Sequence, residues 1–350
     1  KPSEEPSEKP SKKPTEKPTE APAEEEPEDG KLVEIPAFET AEETADNSAF
    51  EKAEYMDLLD RLILAEHDYG LTGIQLAIYK DGKLIKNNAY GYLNNNYTYE
   101  DADGNIVLEH AKVLPEEDRI AVTPEHLFDW ASNTKMFVTT YSLQHLIAND
   151  AIVPNTGEKL SLETKLADIF PVFLEEGNDE GWKDELTLSE ILSHTSGFAD
   201  KGYHNDEFVT AEFWSPDQDR TFDILMRMPL DAEPNTRYLY TDTDMMIAGF
   251  IIEEITGEDL DTYVKENIYE PLGLENLTFN PMDHGFDKLD TAASEIHGNT
   301  RDGRYIYTGV RTDVVQGEVH DEKAYYCMGG VAGHAGLMGP AQEIAYLGQA

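Results

Sequence analysis

From residue 49 onward the apolar positions follow the periods of regular secondary structure. Two strands are predicted over 73–79 and 83–90, because Asp81-Gly82 between them is a strong hairpin signal. A second, polar hairpin is predicted over 97–114, with its turn at Asp103-Gly104-Asn105. Before these strands, residues 49–67 are predicted to form an amphipathic helix whose apolar face consists of Tyr55, Leu58, Leu59, Leu62 and Ile63.

After the hairpins the pattern becomes mainly helical. Thr123 and Pro124 have the residue types of a helix start, so a helix is predicted to begin there. Residues 132–148 are apolar on most faces, which predicts a buried helix, whereas 281–327 is polar and irregular. The final helical pattern carries no stop signal, so we expect the chain to continue beyond Ala350. Further helices are predicted over 188–193, 221–228, 243–256, 259–269 and from 341 onward.

The first 30 residues have a different composition. Prolines recur at every fourth position from 2 to 22, and Ser, Thr, Lys, Glu and Ala stand between them. Because proline fixes φ and no large apolar side chain is present to be buried, an extended tether is predicted over 1–30. A short apolar patch follows at 32–38 before the chain turns polar again. We therefore assign 31–350 to one domain and leave 31–48 unassigned within it.

Charge and cysteine content restrict the possible partners. With 71 acidic and 27 basic residues the formal net charge is −44, which argues against nucleic acid and anionic membranes as partners. A solvated acidic surface explains this charge as well as a cationic partner would. Cys327 is the one cysteine, so an intrachain disulfide is impossible, and its apolar neighbours indicate a buried, inert thiol. The sequence contains no apolar run of the ~18 residues that a membrane helix needs.

Ser132 and Lys135 begin the predicted buried helix. Residues at i and i+3 share a helix face, so the hydroxyl and the ammonium group can meet. A helix N-terminus also supplies N–H groups to an oxyanion, and a desolvated lysine can serve as a base for serine. Of the twelve serines, only Ser132 is followed by lysine three residues later. The pattern predicts a nucleophile and its base, although a helix cap beside a surface lysine would show the same spacing.

Tyr240-Thr241-Asp242 is a second candidate segment. A tyrosine beside a lysine can carry a proton between Ser132 and a leaving group. Asp242 could accept a hydrogen bond from a substrate amide or from Lys135. The alternative for Tyr240 is a core tyrosine at the junction of a loop and a helix.

These segments together resemble a known family. Residues 127–135 resemble the serine motif of class C type β-lactamases, their esterase relatives and low-molecular-weight penicillin-binding proteins. Residues 191–198 are similar to the His-Thr-Ser-Gly segment of that family, and 240–242 to its tyrosine motif, with aspartate where many members have asparagine. The likeness covers about residues 50 to 350 in the family's order, and the Gly-His-Ala-Gly stretch at 333–336 resembles a penicillin-binding-protein-like branch.

Two histidines need separate interpretation. In the resemblance His194 belongs to a structural loop, so we expect it to be hydrogen bonded rather than catalytic. The family's third motif is His or Lys, Ser or Thr, then Gly on a strand, but Ala335 follows His334 here. We therefore expect His334 to lie in a loop where it contacts substrate. The third motif and the sheet's C-terminal strands are then expected beyond Ala350, and residues 1–350 alone are expected to be inactive.

The resemblance implies an α+β fold, in which a helical domain lies beside an antiparallel sheet flanked by helices and Ser132 lies at their junction. It implies a serine hydrolase that forms an acyl-enzyme with a D-alanyl peptide, a β-lactam or an ester, and that uses no metal or cofactor. Lys135 and Tyr240 would move protons, and Asp242 and His334 would bind substrate. The alternative is a non-catalytic binding module that kept the pocket. The tether indicates an extracellular or cell-surface protein of a bacterium; the oligomeric state stays open.

Overall fold

The computed structural model describes residues 53–68, 70–97, 112–178, 181–198, 217–296, 298 and 311–349. The predicted tether over 1–30 and the unassigned segment 31–48 lie outside these ranges. The turn predicted at 103–105 also lies outside them, although its two flanking strands, β3 (Asn96–Tyr97) and β4 (Lys112–Val113), are described and pair antiparallel.

The described chain begins with a helix on a hairpin. Helix α1 (Ala53–Asp68) contacts strands β1 (Gly73–Lys80) and β2 (Lys83–Gly91), which pair antiparallel. Asp81 and Gly82 both have positive φ, 52° and 78°, as the predicted two-residue turn requires. The predicted hairpin is therefore confirmed.

The predicted apolar face of α1 is wrong. Tyr55, Leu58 and Leu62 are 55%, 43% and 56% exposed, whereas Met56 is buried. The rotation has an electrostatic cause, because Asp60 forms a 2.7 Å ion pair with Lys86 on β2 and also accepts a hydrogen bond from Tyr90. These contacts turn the Met56 side of the helix toward the sheet.

The helix predicted to begin at Thr123 is also wrong. The Thr123 N–H donates to the His126 ring at 2.8 Å and forms a turn. Strand β5 (Phe128–Asp129) then pairs antiparallel with β6 (Met338–Gly339), and the Leu127 N–H donates to the Asp290 carbonyl. Because these backbone groups bond to distant segments, they are not available to a helix. Gln75 on β1 fixes this region by donating to the carbonyls of Thr123 and His126, each at 2.7 Å.

The segment that carries Ser132 is helical from the predicted position. A single 3-10 turn (Ala131–Asn133) leads into a π-helical stretch (Lys135–Thr140) and then into α2 (Tyr141–Ala148). One side of this segment is buried, with Val138 and Thr139 fully inaccessible. The irregular start brings Lys135 around to the same side as Ser132.

The helical body surrounds one central helix, α6 (Asp242–Thr256), which is buried continuously from 243 to 252. It contacts α4 (Leu188–Leu192), α5 (Gln218–Arg227), α7 (Leu260–Val264) and the π-helical stretch 135–140. Its first residue, Asp242, therefore faces the start of the Ser132 helix. The surrounding helices are α3 (Leu166–Ile169), α4 (Leu188–Leu192), α5 (Gln218–Arg227) and α7 (Leu260–Val264), which continues as a π-helical stretch (Lys265–Tyr269).

Two C-terminal helices complete the described chain. Helix α8 (Glu322–Cys327) lies where an irregular segment was predicted, and its N-cap Asp321 accepts from the N–H groups of Lys323 and Ala324, both at 2.9 Å. Helix α9 (Ala341–Leu347) ends with Gly348 as its C-cap. Short 3-10 turns are also present at Glu116–Asp118, Pro171–Leu174, Lys183–Glu185, Glu270–Leu272, Pro281–His284 and Lys288–Asp290.

The predicted α+β class is confirmed, and within the described ranges each of the three sheets has two strands. Cys327 is buried as predicted, and burial raises the pKa of its thiol to about 12. No helix in the described ranges is long and apolar enough to cross a membrane.

Helix α6 contains a buried carboxyl group, that of Glu253, whose ionisation makes the stability of the fold depend on pH. Burial raises the pKa of Glu253 from 4.5 to about 7, and Asp259 and Asp261 act in the same direction, although the Leu260 N–H donates to its carboxylate. A carboxyl group with a raised pKa in the folded state favours folding when protonated, and this contribution is lost as the pH rises from 4.5 to about 7.

We therefore predict that Glu253→Gln raises the melting temperature relative to the parent at pH 8 and much less at pH 5. Glutamine keeps an acceptor for the Leu260 N–H but has no charge to desolvate. Thermal unfolding at both pH values measures the difference. Glu254→Gln, an exposed change on the same helix, is the control. A gain of the same size at pH 5 and pH 8 would contradict the prediction.

Candidate active site

Ser132 is exposed at the tip of a strained turn. It lies in the 3-10 turn that follows β5, and the preceding residue, Ala131, has a φ of 46° in the left-handed region. Asp129 holds this turn by accepting from the Ala131 N–H at 2.7 Å. Thr134 closes it from the other side, because its hydroxyl donates to the Ala131 carbonyl and accepts from the Leu337 N–H. The hydroxyl of Ser132 is thus presented by a backbone that is held at both ends.

Lys135 is the buried partner of Ser132. Its side chain is 7% exposed, and its Nζ donates to Ser132 Oγ at 2.9 Å. The same nitrogen donates to the His334 carbonyl at 3.1 Å and forms a 2.7 Å ion pair with Asp242 Oδ1. The Asp242 carboxylate and the His334 carbonyl therefore hold the Lys135 Nζ in one position, at which it contacts the Ser132 hydroxyl.

Asp242 is shared by two lysines. Its Oδ1 faces Lys135, and its Oδ2 lies 2.5 Å from the Nζ of Lys323 on α8. Burial on its own would raise the pKa of Asp242, but its neighbours His334, Lys323 and Lys135 lower this pKa below the ordinary value. As the first residue of α6, the carboxylate also lies at the favourable end of the helix dipole. Asp242 is therefore ionised at neutral pH.

His334 joins this network through both its backbone and its ring. The ring Nε2 lies 2.8 Å from Asp321 Oδ1, and the side chain is completely buried. His334 and the backbone N–H of Ala324 hold the pKa of Asp321 well below its usual range, against the opposing effect of burial. The structure brings His334 next to Lys135 as a loop residue, but it reaches Lys135 with its carbonyl rather than with its ring.

Tyr240 lies over Lys135. Its ring centroid is 4.9 Å from Lys135 Nζ and 4.7 Å from the His194 ring, and the side chain is 45% exposed. Within the described part of the chain, its hydroxyl makes no hydrogen bond to Ser132 or Lys135. Tyr240 therefore contacts the predicted base with its π face.

His194 has the structural position expected of it. It is buried, its Nδ1 lies 3.0 Å from Asp244 Oδ2, and Ser196 donates to the other oxygen of Asp244 at 2.5 Å. This cluster joins the loop after α4 to the first turn of α6. Through the His194 ring it also packs against the ring of Tyr240.

Sequence reasoning missed three acidic or basic residues of the site. Asp321 and Lys323 have no spacing that relates them to Ser132, and Asp129 lies in the motif 127–135 but was not predicted as a site residue. Asp321-Glu322-Lys323 has the composition of a solvated surface loop. The one local signal was Asp321 as an N-cap, which would have predicted α8.

Oxygen and nitrogen atoms of Asp242, Asp321 and His334 lie within 4.8 Å of one another, which is close enough to suggest a cation site. However, Lys135 and Lys323 already place two ammonium groups against Asp242. A divalent cation would have to displace one of these lysines. The cluster is therefore described better as an ion-pair network.

The chain is similar to several known proteins. A family model described as Beta-lactamase matches residues 53–349. A protein of Escherichia coli (strain K12) named "Putative D-alanyl-D-alanine carboxypeptidase" is 37% identical over 309 residues, which make up 88% of this chain and 66% of that protein. The chain thus spans about two thirds of the length of this relative.

Solved structures show the same fold. The octameric penicillin-binding protein homologue from Pyrococcus abyssi aligns with a TM-score of 0.57 and 21% identity, over 83% of this chain and 55% of that chain. D-amino acid amidase from Ochrobactrum anthropi SV3, complexed with D-phenylalanine, aligns with a TM-score of 0.53 and 18% identity, over 81% of this chain and 66% of that chain. The fold predicted from the motif resemblance is confirmed.

We predict that Asp129→Ala loosens the nucleophile turn. The Asp129 carboxylate accepts from the N–H groups of Ala131 and His320, each at 2.7 Å, and alanine leaves both without this partner. We expect the free energy of unfolding to fall by about 1–3 kcal/mol. Chemical denaturation measures it, with Asp283→Ala, an exposed aspartate, as the control. A change no larger than that of the control would mean that Asp129 does not hold the turn.

Proposed function

The chain belongs to the beta-lactamase family, and on that premise we propose that it is a serine hydrolase that acts through an acyl-enzyme on Ser132. The observation that carries the proposal is the 2.9 Å hydrogen bond from the buried Nζ of Lys135 to the exposed Ser132 hydroxyl. A nucleophile within hydrogen-bond reach of a potential base, which is itself oriented by a third group, is the arrangement that covalent catalysis requires. Here Asp242 is that third group.

In the proposed reaction Lys135 acts as a neutral amine: Ser132 Oγ attacks the substrate carbonyl, and the proton of the hydroxyl passes to Lys135 Nζ. The tetrahedral intermediate then collapses, the bond to the leaving group breaks, and the leaving group takes up the proton. Tyr240 lies next to Lys135, so we propose that it passes this proton on. Water hydrolyses the resulting ester and restores the serine hydroxyl. Backbone N–H groups at the start of the Ser132 helix would stabilise the oxyanion.

We propose a D-alanyl peptide as the substrate class. The relative from Escherichia coli is named for action on D-alanyl-D-alanine, and a structural neighbour is named for D-amino acid amides. Both names describe the cleavage of an amide bond at a D-amino acid. β-Lactams and simple esters remain alternative substrates, because the same nucleophile and base would suffice for their more reactive carbonyl groups. Asp242 and His334 contact Lys135, and a direct contact of either with substrate is part of the proposal.

A second candidate function is a binding module that acylates without turnover. One observation favours it: in the described part of the chain the Tyr240 hydroxyl is not hydrogen bonded to Ser132 or Lys135. If Tyr240 does not relay protons, Ser132 could still form the ester slowly, but water would not hydrolyse that ester efficiently. Release of product separates the two candidates, because an enzyme regenerates free Ser132 whereas a binding module stays modified.

We also propose that the protein acts at a bacterial cell surface, where a D-alanyl substrate would be met. The matched relative is bacterial, and the proline-rich segment 2–22 would serve as a spacer. The substrate is then a cell-wall peptide.

We predict that a fluorescent penicillin or a fluorophosphonate forms one covalent adduct at Ser132. Intact-mass analysis followed by peptide mapping measures the adduct. Ser132→Ala should abolish it, whereas Ser161→Ala, a change at another exposed serine, should label like the parent. An adduct that survives Ser132→Ala would refute the assignment of the nucleophile.

We further predict that Lys135→Ala and Tyr240→Phe each slow acylation by ~100-fold or more, the usual scale for general acid–base groups. The rate of adduct formation under excess probe measures this effect, and unfolding midpoints show whether the variants remain folded. Tyr238→Phe, which is more exposed and also near His194, is the control for Tyr240. A Tyr240→Phe variant with the parent rate would assign Tyr240 to packing over Lys135 instead.

A further inference from the structure

Lys323 makes the closest contact to Asp242, and the mechanism described above does not use it. It lies in the first turn of α8, is 7% exposed, and places its Nζ 2.5 Å from Asp242 Oδ2. Lys135 occupies the other oxygen at 2.7 Å. One carboxylate therefore bridges two buried ammonium groups, of which only one reaches the nucleophile.

The segment that carries Lys323 is fixed to both sides of the site. Asp321 accepts from the backbone N–H of Lys323 at 2.9 Å and from the ring of His334 at 2.8 Å. One residue earlier, the His320 N–H donates to Asp129, which also holds the Ser132 turn. Lys323 is thus placed by the same contacts that place the nucleophile and the loop of His334.

Stability alone does not account for this arrangement. Removing two ammonium groups and a carboxylate from water is costly, and their mutual attraction offsets that cost incompletely unless the geometry is good. A single lysine would already pair with Asp242. The second lysine occupies the one carboxylate oxygen that could otherwise turn away from Lys135 or take up a proton.

We propose that Lys323 is a positioning residue for the reaction proposed at Ser132: it keeps Asp242 ionised and oriented, so that Asp242 holds Lys135 against the serine hydroxyl. The proposal rests on the proposed function for its effect on rate. The contact between Lys323 and Asp242 is independent of that function, and it can be tested separately.

The charged and titratable groups around Asp242 determine the direction of the pH effect. Three neighbours on different segments lower the pKa of Asp242. Without Lys323 one of these neighbours is lost, so the pKa of Asp242 rises. Asp242 then takes up a proton at a higher pH than in the parent. The groups that face it are Lys135, Lys323, His334 and Asp321, together with the ring of Tyr240 above Lys135.

The first experiment measures acylation of Ser132 by a fluorophosphonate between pH 5 and pH 9. In Lys323→Met the acid limb should move to higher pH, so that the rate at pH 5 falls further below that of the parent than the rate at pH 8 does. Lys323→Arg should restore the parent profile because it restores the charge. Lys288→Met, a change at an exposed lysine, should leave the profile unchanged.

Two outcomes would overturn the proposal. One is an acid limb that stays at the parent position in Lys323→Met. The other is a uniform loss of rate at every pH that Lys323→Arg does not relieve, since this would indicate a purely structural role. Unfolding midpoints identify a variant that does not fold, and Lys323→Gln is then measured as a second neutral side chain.

The second experiment follows the Asp242 carboxyl carbon by NMR titration, in protein labelled at aspartate and assigned by comparison with Asp242→Asn. Lys323→Met should raise the titration midpoint of that signal, and Lys323→Arg should not. If Ser132 is never acylated but the midpoint still moves, the proposed function fails whereas the coupling of Lys323 to Asp242 stands. If the midpoint does not move, the inference about Lys323 is wrong even in an active enzyme.

Discussion

The carboxylate of Asp242 connects every segment of the site. It begins the central helix α6, pairs with Lys135 from the Ser132 helix and pairs with Lys323 from α8. A buried carboxylate is tolerated only when it is paired and hydrogen bonded, so these three segments must meet at one point for the fold to be stable. The position of Ser132 relative to Lys135 therefore follows from a requirement of folding.

Local signals in the sequence predicted the parts of the structure that depend on neighbours in the chain. Asp81-Gly82 predicted the β1–β2 hairpin, because both residues accept positive φ. The i, i+3 spacing of Ser132 and Lys135 predicted their contact, because residues three apart lie on the same face of a helix. The start of the helix at Thr123 failed because the backbone after it pairs with a strand more than two hundred residues away, in the bridge from Phe128 to Gly339. No local propensity contains that information.

Charged residues were the hardest to interpret from the sequence. Asp60 turns the α1 helix away from its most apolar face, and Lys323 is buried although its neighbours Asp321 and Glu322 suggest a surface loop. In both cases the partner lies elsewhere in the chain, as for Lys323 and Asp242, which are separated by 81 positions. A buried ion pair reverses the usual rule that charge means exposure, and only the partner's position shows when this applies.

The ionic groups of the site are paired with one another inside a strongly acidic protein. The ammonium groups of Lys135 and Lys323 contact the carboxylate of Asp242, and the His334 ring contacts that of Asp321, whereas the whole chain carries a formal charge of −44. Salt screens the distant surface charges over about 8 Å, but the paired groups interact at contact distance in a poorly solvated environment. The acidic surface therefore has little influence on the Ser132–Lys135 pair. The neighbours of Asp242 determine its state of charge, and through it they determine where the base lies.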